Sequence, residues 1–183
     1  MTDEGLAAEI RGCTACPELV ATRTTVVVGE LPVRPRLVLV GEAPGAQEDL
    51  VGRPFVGRAG QLLDRLLADA GIPREEVGVL NTLKCRPPDN RTPRAAELAR
   101  CRPWLQQQLA LAAPSLVVAM GATAVGWFHG RGARVAALRG RYETVGGVRV
   151  LATYHPSAAL RFGPKGAPMA ALREDLVLAA RLL

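Results

Sequence analysis

The chain has four cysteines, and they fall in two close pairs: Cys13-x-x-Cys16 and, after a long gap, Cys85 and Cys101 with fifteen residues between them. One Cys-x-x-Cys knuckle supplies only adjacent corners of a tetrahedron, so a second pair is what a four-thiolate centre needs. Zinc and a [4Fe–4S] cluster both accept four cysteinates, and spacing does not separate them. Unligated core thiols are the plainer alternative, but a cytosolic chain of this size rarely pairs its cysteines so closely. Such a centre would be structural, tying the N-terminal helix to the loops around Arg86 and Pro103. A second group of chemistry-bearing side chains lies between Val38 and Gly60. There an apolar run breaks at Gly41 into a Gly- and Pro-punctuated loop carrying Glu42, Glu48, Asp49, Arg53 and Phe55. A strand that empties into a polar loop is where an open α/β sheet holds its ligand, and the rigid strand behind it fixes the loop's geometry.

The elements that must position these residues follow from periodicity and punctuation. Continuous apolar runs at Leu37–Val40, Val77–Thr82 and Ser115–Met120 predict buried parallel strands. Arg139–Thr144 and Val148–Thr153 predict a hairpin about Gly146 and Gly147, whose second arm is the fourth strand of the sheet. Helical spacing is read over Thr2–Arg11, over Gln61–Ala70 with leucines at 62, 63, 66 and 67, over Ala122–Phe128, and over Met169–Leu182. Between Arg94 and Leu111 two helices are expected, one delivering Cys101 and one opening at Pro103, since proline favours a first turn. Strands alternating with helices give an α/β, three-layer α/β/α sandwich around a central four-stranded, mostly parallel sheet, with residues 1–183 as one domain. Three strand ends, at Glu42, Asn81 and His155, then converge on one edge.

Composition narrows the partners. At 183 residues with 49% hydrophobic content the chain can bury a real core, and disorder is excluded. The net charge of +6 is almost entirely arginine, Lys84 and Lys165 being the two lysines, and a basic balance suits a polyanion such as nucleic acid. No stretch is long and apolar enough to span a membrane, and the acidic start MTDEGLAAEI is unlike a signal peptide. A cytoplasmic monomer with no membrane partner is expected.

Together several blocks resemble the family 4 uracil-DNA glycosylases, the iron–sulfur type of bacteria and archaea. They are Cys13-x-x-Cys16, Gly41-Glu-Ala-Pro-Gly45, Glu48-Asp49, Gly52-Arg-Pro-Phe-Val-Gly57, Ala59-Gly-Gln-Leu-Leu63, Asn81, Lys84-Cys85-Arg-Pro-Pro88, Cys101 and His155-Pro156. They span nearly the whole chain in the expected order. The resemblance implies the uracil-glycosylase α/β/α fold, a [4Fe–4S] cluster rather than zinc on Cys13, Cys16, Cys85 and Cys101, and uracil-containing DNA, single- or double-stranded, as substrate.

Cleaving the glycosidic bond of a flipped-out deoxyuridine develops positive charge on the sugar while uracil leaves as an anion. By resemblance Glu42 is the catalytic carboxylate that stabilises the cation and orients water. Its bland alternative is a capping or salt-bridge glutamate. Ala43 stands where another glycosylase family has a water-activating aspartate, which shifts the demand to Glu42. His155 would donate from a neutral imidazole to uracil O2, although a lone histidine before proline is more often a turn residue. Asn81 would read O4 and N3–H, leaving cytosine with unpaired polar atoms. Phe55 would stack on the base rather than merely fill core, Glu48 would lie near C5, and Gly41 and Ala43 would allow close approach. Arg86, Arg91, Arg161 and Lys165 are the expected phosphate contacts, with Ser157 donating a hydroxyl, against the reading of solvated surface groups. Leu160 or Arg161 is the expected wedge, in a segment where the family carries bulkier residues at Ala158 and Ala159. Weak wedging predicts a preference for single-stranded or mismatched uracil. Two rivals are weighed. A relative that traps its product covalently needs a histidine absent between Asn81 and Cys101. A non-catalytic iron–sulfur nucleic-acid-binding module would have no reason to keep Glu42, Asn81 and His155 together.

Overall fold

The computed structural model describes residues 3–183; Thr2, expected to begin the first helix, lies outside them. The apolar runs form strands β1 (Leu37–Gly41), β2 (Val77–Asn81) and β3 (Leu116–Met120), buried along their whole length. Strands buried on both faces need no alternation, which is why these segments are continuous in Val, Leu and Ala. The hairpin supplies β4 (Tyr142–Val145) and β5 (Val148–Thr153). The sheet therefore has five strands, in the order β2-β1-β3-β5-β4, and not the expected four. Both hairpin arms pair, β4 lying antiparallel to β5 at the edge. The other neighbours are parallel, with Gly41 beside Asn81 and Met120 beside Thr153.

Helices cover both faces. Side chains of Leu37, Leu39, Val77 and Val79 point to one core, shared with α4 (Arg58–Asp69), α8 (Pro156–Phe162) and α9 (Ala167–Leu182). Val38, Val40, Leu80, Val117 and Ala119 point to the other, under α5 (Ala95–Ala112), α6 (Ala122–His129) and α7 (Val135–Leu138). A third, smaller core joins α1 (Asp3–Arg11) and α2 (Pro17–Val20) to Leu83, Cys85 and Cys101.

Two local expectations are corrected. The segment from Arg94 to Leu111 is one helix, α5, with Pro103 inside it. Proline removes the hydrogen bond to the carbonyl four residues back; Ala99 is exposed there, so water can satisfy that carbonyl. The polar loop after β1 contains a helix, α3 (Ala46–Val51), closed by Gly52 in the left-handed conformation.

Candidate active site at the carboxyl ends of the strands

β1, β2, β3 and β5 all deliver their carboxyl ends to one side of the sheet, and the order reverses between β1 and β3, where open α/β sheets hold ligands. A cleft of about 390 Å³ opens there, lined by Glu42, Glu48, Phe55, Asn81, His155 and Arg161 among others. The convergence expected from sequence is thus met.

Glu42 is held at both ends. Its carbonyl accepts from Thr82 Oγ1 at 2.7 Å and from the Leu83 amide at 3.0 Å. Its carboxylate Oε2 accepts a short hydrogen bond from Thr123 Oγ1, in the first turn of α6. Nothing in the sequence singles out Thr123, because only the fold brings the exit of β3 beside that of β1.

Asn81 ends β2 and is 2% exposed, yet its Oδ1 is buried without a hydrogen-bond partner among the described residues. Such an orphan is costly unless something supplies a donor. A Cβ on Gly41 would lie 2.5 Å from that oxygen and 2.7 Å from the Phe55 ring, so only glycine leaves room for the two to approach.

Phe55 takes φ +55, a left-handed conformation rare for a bulky residue. Gly60 permits it: a Cβ there would fall 1.6 Å from the Phe55 carbonyl oxygen. The Phe55 ring is 5.5 Å from the His155 ring, tilted by 35°.

His155 caps α8. The Ser157 amide donates to its Nδ1 at 3.2 Å, and Ser157 Oγ lies 2.8 Å from the same atom. An amide donor on Nδ1 leaves the proton of a neutral ring on Nε2. Burial pushes the imidazole down to about 4, with Glu48 opposing, so the ring is neutral at physiological pH. Ser157, expected to meet phosphate, is thereby engaged with His155. Glu48 is fixed by the Gly57 amide on its Oε1 at 2.8 Å. Its neighbour Asp49 is structural, buried and accepting from the amides of Thr24 and Thr25.

The other expected DNA contacts divide. Arg161, in the last turn of α8, is exposed and lines the cleft. Arg86 donates to Asn90 Oδ1 at 2.8 Å and stands back from the cleft lining. Leu160 packs against the main core, whereas Phe162, at the end of α8, is 65% exposed.

The four cysteines, free of disulfides, line one small cavity beneath this site. Three of the sulfurs accept from N–H donors: Trp104 Nε1 reaches Cys13 at 3.4 Å, Arg23 Nη1 reaches Cys85 at 2.9 Å, and the Lys84 amide reaches Cys101 at 3.3 Å, while Arg100 is the cation that acts on Cys16. Burial raises the thiols of Cys16 and Cys85 and pushes Cys101 up to about 11, opposed by Lys84. Sulfurs set among donors and cations, with Cys85 and Cys101 buried and Cys13 and Cys16 half-buried, are what bound thiolates require, so the residues fit a four-thiolate centre. Among the described residues no three Cys, His, Asp or Glu side chains form a ready single-ion site.

A family model for the Uracil DNA glycosylase superfamily matches residues 28–177, the whole sheet and every residue that lines the cleft. The chain belongs to the uracil DNA glycosylase superfamily. Among curated relatives it is 49% identical to a type-4 uracil-DNA glycosylase of Thermotoga maritima, covering 83% of this chain and 80% of that one. It is 43% identical to a type-4 uracil-DNA glycosylase of Pyrobaculum aerophilum, covering 83% and 81%. A type-5 uracil-DNA glycosylase of the same archaeon is 35% identical over 79% of this chain and 78% of its own. The superfamily fold accounts for the strand-end cleft; of the four cysteines, Cys85 and Cys101 fall within the matched residues and Cys13 and Cys16 precede them.

Proposed function

We infer that this protein is a DNA-repair uracil-DNA glycosylase, which takes up a flipped-out deoxyuridine, hydrolyses its N-glycosidic bond, and leaves uracil and an abasic site. The carrying observation is the buried Asn81 Oδ1, unpaired among the described residues, in a cleft shared with Glu42, Phe55 and a neutral His155. That oxygen suits the N3–H of uracil, and the amide nitrogen suits O4. Cytosine, with an amine in place of O4 and no N3–H, would leave both halves of the amide mismatched. Phe55 would stack on the base, and His155 Nε2–H would donate to O2. In the reaction the N1–C1′ electron pair goes to the uracil ring, where the His155 donor favours the anion. Glu42, with one oxygen held by Thr123, turns the other toward the sugar cation and the water that adds to C1′. The water proton passes to that carboxylate.

Cys13, Cys16, Cys85 and Cys101 would hold a [4Fe–4S] cluster. When bound, it supplies a four-point cross-link between the N-terminal segment, the loop after β2, and α5. Sulfurs that surround a cavity without meeting single-ion geometry support a cluster over zinc. Among the described residues no helix is long and apolar enough to cross a membrane. We read the protein as a cytoplasmic monomer whose partner is DNA.

The test uses a labelled oligonucleotide carrying one uracil and a thymine control, each treated with alkali after incubation. Uracil-dependent strand scission is expected, and its absence overturns the reading. A protein–DNA band surviving denaturation would instead favour covalent trapping. A brown protein whose visible absorbance bleaches on reduction is expected, and a colourless protein with stoichiometric zinc would refute the cluster.

A further inference from the structure

Lys84 is the buried cation that neither base recognition nor hydrolysis uses. Its side chain is 2% exposed, although lysine is rarely buried without a charged partner. Its Nζ donates to the Asn81 carbonyl oxygen at 3.0 Å, and no carboxylate is paired to it among the described residues. Its own amide donates to Cys101 Sγ at 3.3 Å, and its carbonyl accepts from the Val27 amide at 2.8 Å. One residue therefore touches the cysteine centre with its backbone and the base-reading residue with its side chain.

The position of Asn81 in the sheet explains why it needs support. β2 is an edge strand. On its outer side Glu30 exchanges hydrogen bonds with Val79. Residues two apart in a strand face the same way, so the Asn81 carbonyl is the next group along that outer edge, past the reach of the bridge. Lys84 takes it. A buried methionine would pack as well, but would leave that carbonyl unpaired and Asn81 free to turn about the end of the strand.

We propose that Lys84 is a positioning residue, tying the base-reading end of β2 to the four-cysteine centre and so setting where Asn81 presents its amide to uracil. The proposal rests on the reading of Asn81 as the residue that meets the edge of the base. It makes uracil recognition dependent on the centre through a single side chain, with no contact between the centre and the base.

The test compares wild type, K84M and N81A, each checked for visible absorbance per protein. Two ligands are used: free uracil, measured as an inhibitor and by calorimetry, and an oligonucleotide with a tetrahydrofuran abasic analogue, which lacks the base. K84M should keep the centre, bind the abasic oligonucleotide within about twofold of wild type and bind free uracil about tenfold more weakly, the loss expected for one misplaced buried hydrogen-bonding group. Uracil affinity within about twofold of wild type would overturn the proposal, as would an equal loss on both ligands, which marks general disruption. Undiminished uracil affinity in N81A would instead overturn the reading of Asn81, so the two failures are distinguishable. Should K84M fail to fold, wild type decides. Because the chain has two lysines, carbon-13 labelling of lysine gives two ε-methylene signals. Saturation with uracil should shift that of Lys84 and leave that of exposed Lys165 in place; an unmoved Lys84 signal overturns the proposal.

Discussion

In the role proposed for Glu42, one carboxylate oxygen is left to meet water, because Thr123 holds the other. A hydrogen bond to a charged group contributes about 1.5–3 kcal/mol. Thr123→Val, which keeps the shape and removes the hydroxyl, should therefore lower kcat by about ten- to a hundredfold. KM and melting temperature should hardly change, and Thr123→Ser should recover most of the rate. A loss confined to KM would remove Thr123 from the orientation of Glu42. His155 supplies a second test. Its folded pKa of about 4 lies below the ordinary 6.5, so between these values the unfolded chain binds the proton first. The stability contributed by the neutral ring is complete above pH 6.5, is lost as pH falls toward 4, and is gone below that. In activity, kcat/KM should show no inflection near 6.5 and should decline only toward pH 4. A wild-type profile with a half-point near 6.5 would contradict a buried, neutral donor. The sequence exposes Glu42 and His155 through their neighbours, but nothing in it marks Thr123 or shows that Lys84 is turned inward, because only the fold places them.

Phe55 depends on a helix that it does not belong to. Its left-handed backbone costs about 1–3 kcal/mol and is accommodated because α4 begins against it with a glycine. Gly60→Ala would drive a methyl group onto the Phe55 carbonyl, 1.6 Å away. We expect a destabilisation of at least about 2 kcal/mol by denaturant unfolding, with weaker binding of free uracil as the ring shifts within the cleft. Unchanged unfolding would show that the segment relaxes elsewhere. The strands were legible because a buried parallel strand writes itself as a continuous apolar run, as Leu37–Val40 does. α3 was not, since Ala46–Val51 has two acidic residues and exposes Leu50 and Val51. Nor was the continuity of α5, because proline propensity at Pro103 is overridden by the packing of Cys101 and Leu105 on either side of it. β4, with half its residues exposed, carried too weak a pattern to be counted into the sheet.

The molecule has a second centre of organisation besides its sheet. The two large cores are formed by strands and their covering helices, whereas the smallest core gathers Leu6, Ile10 and Leu19 from the N-terminal helices onto Leu83, Cys85 and Cys101, with Ala43 and Trp104 at its margin. Few apolar side chains hold that unit, and burial raises the thiols of Cys16, Cys85 and Cys101, so the proposed centre would stabilise it by keeping the sulfurs as thiolates. Loss of the centre should therefore act regionally. In Cys101→Ser, or after oxidative removal of the metal, amide hydrogen exchange should accelerate first in residues 3–28 and 82–101, while β1, β3 and β5 keep their protection. Uracil excision should fall with that loosening, since Thr82 and Leu83 hold the Glu42 carbonyl and Lys84 holds Asn81. Non-specific affinity for DNA should persist, because it follows from a net charge of +6 and falls with salt in the usual way. Uniform acceleration across the sheet would mean that the centre supports the whole fold. Unchanged exchange with lost excision would instead give it a direct part in the chemistry.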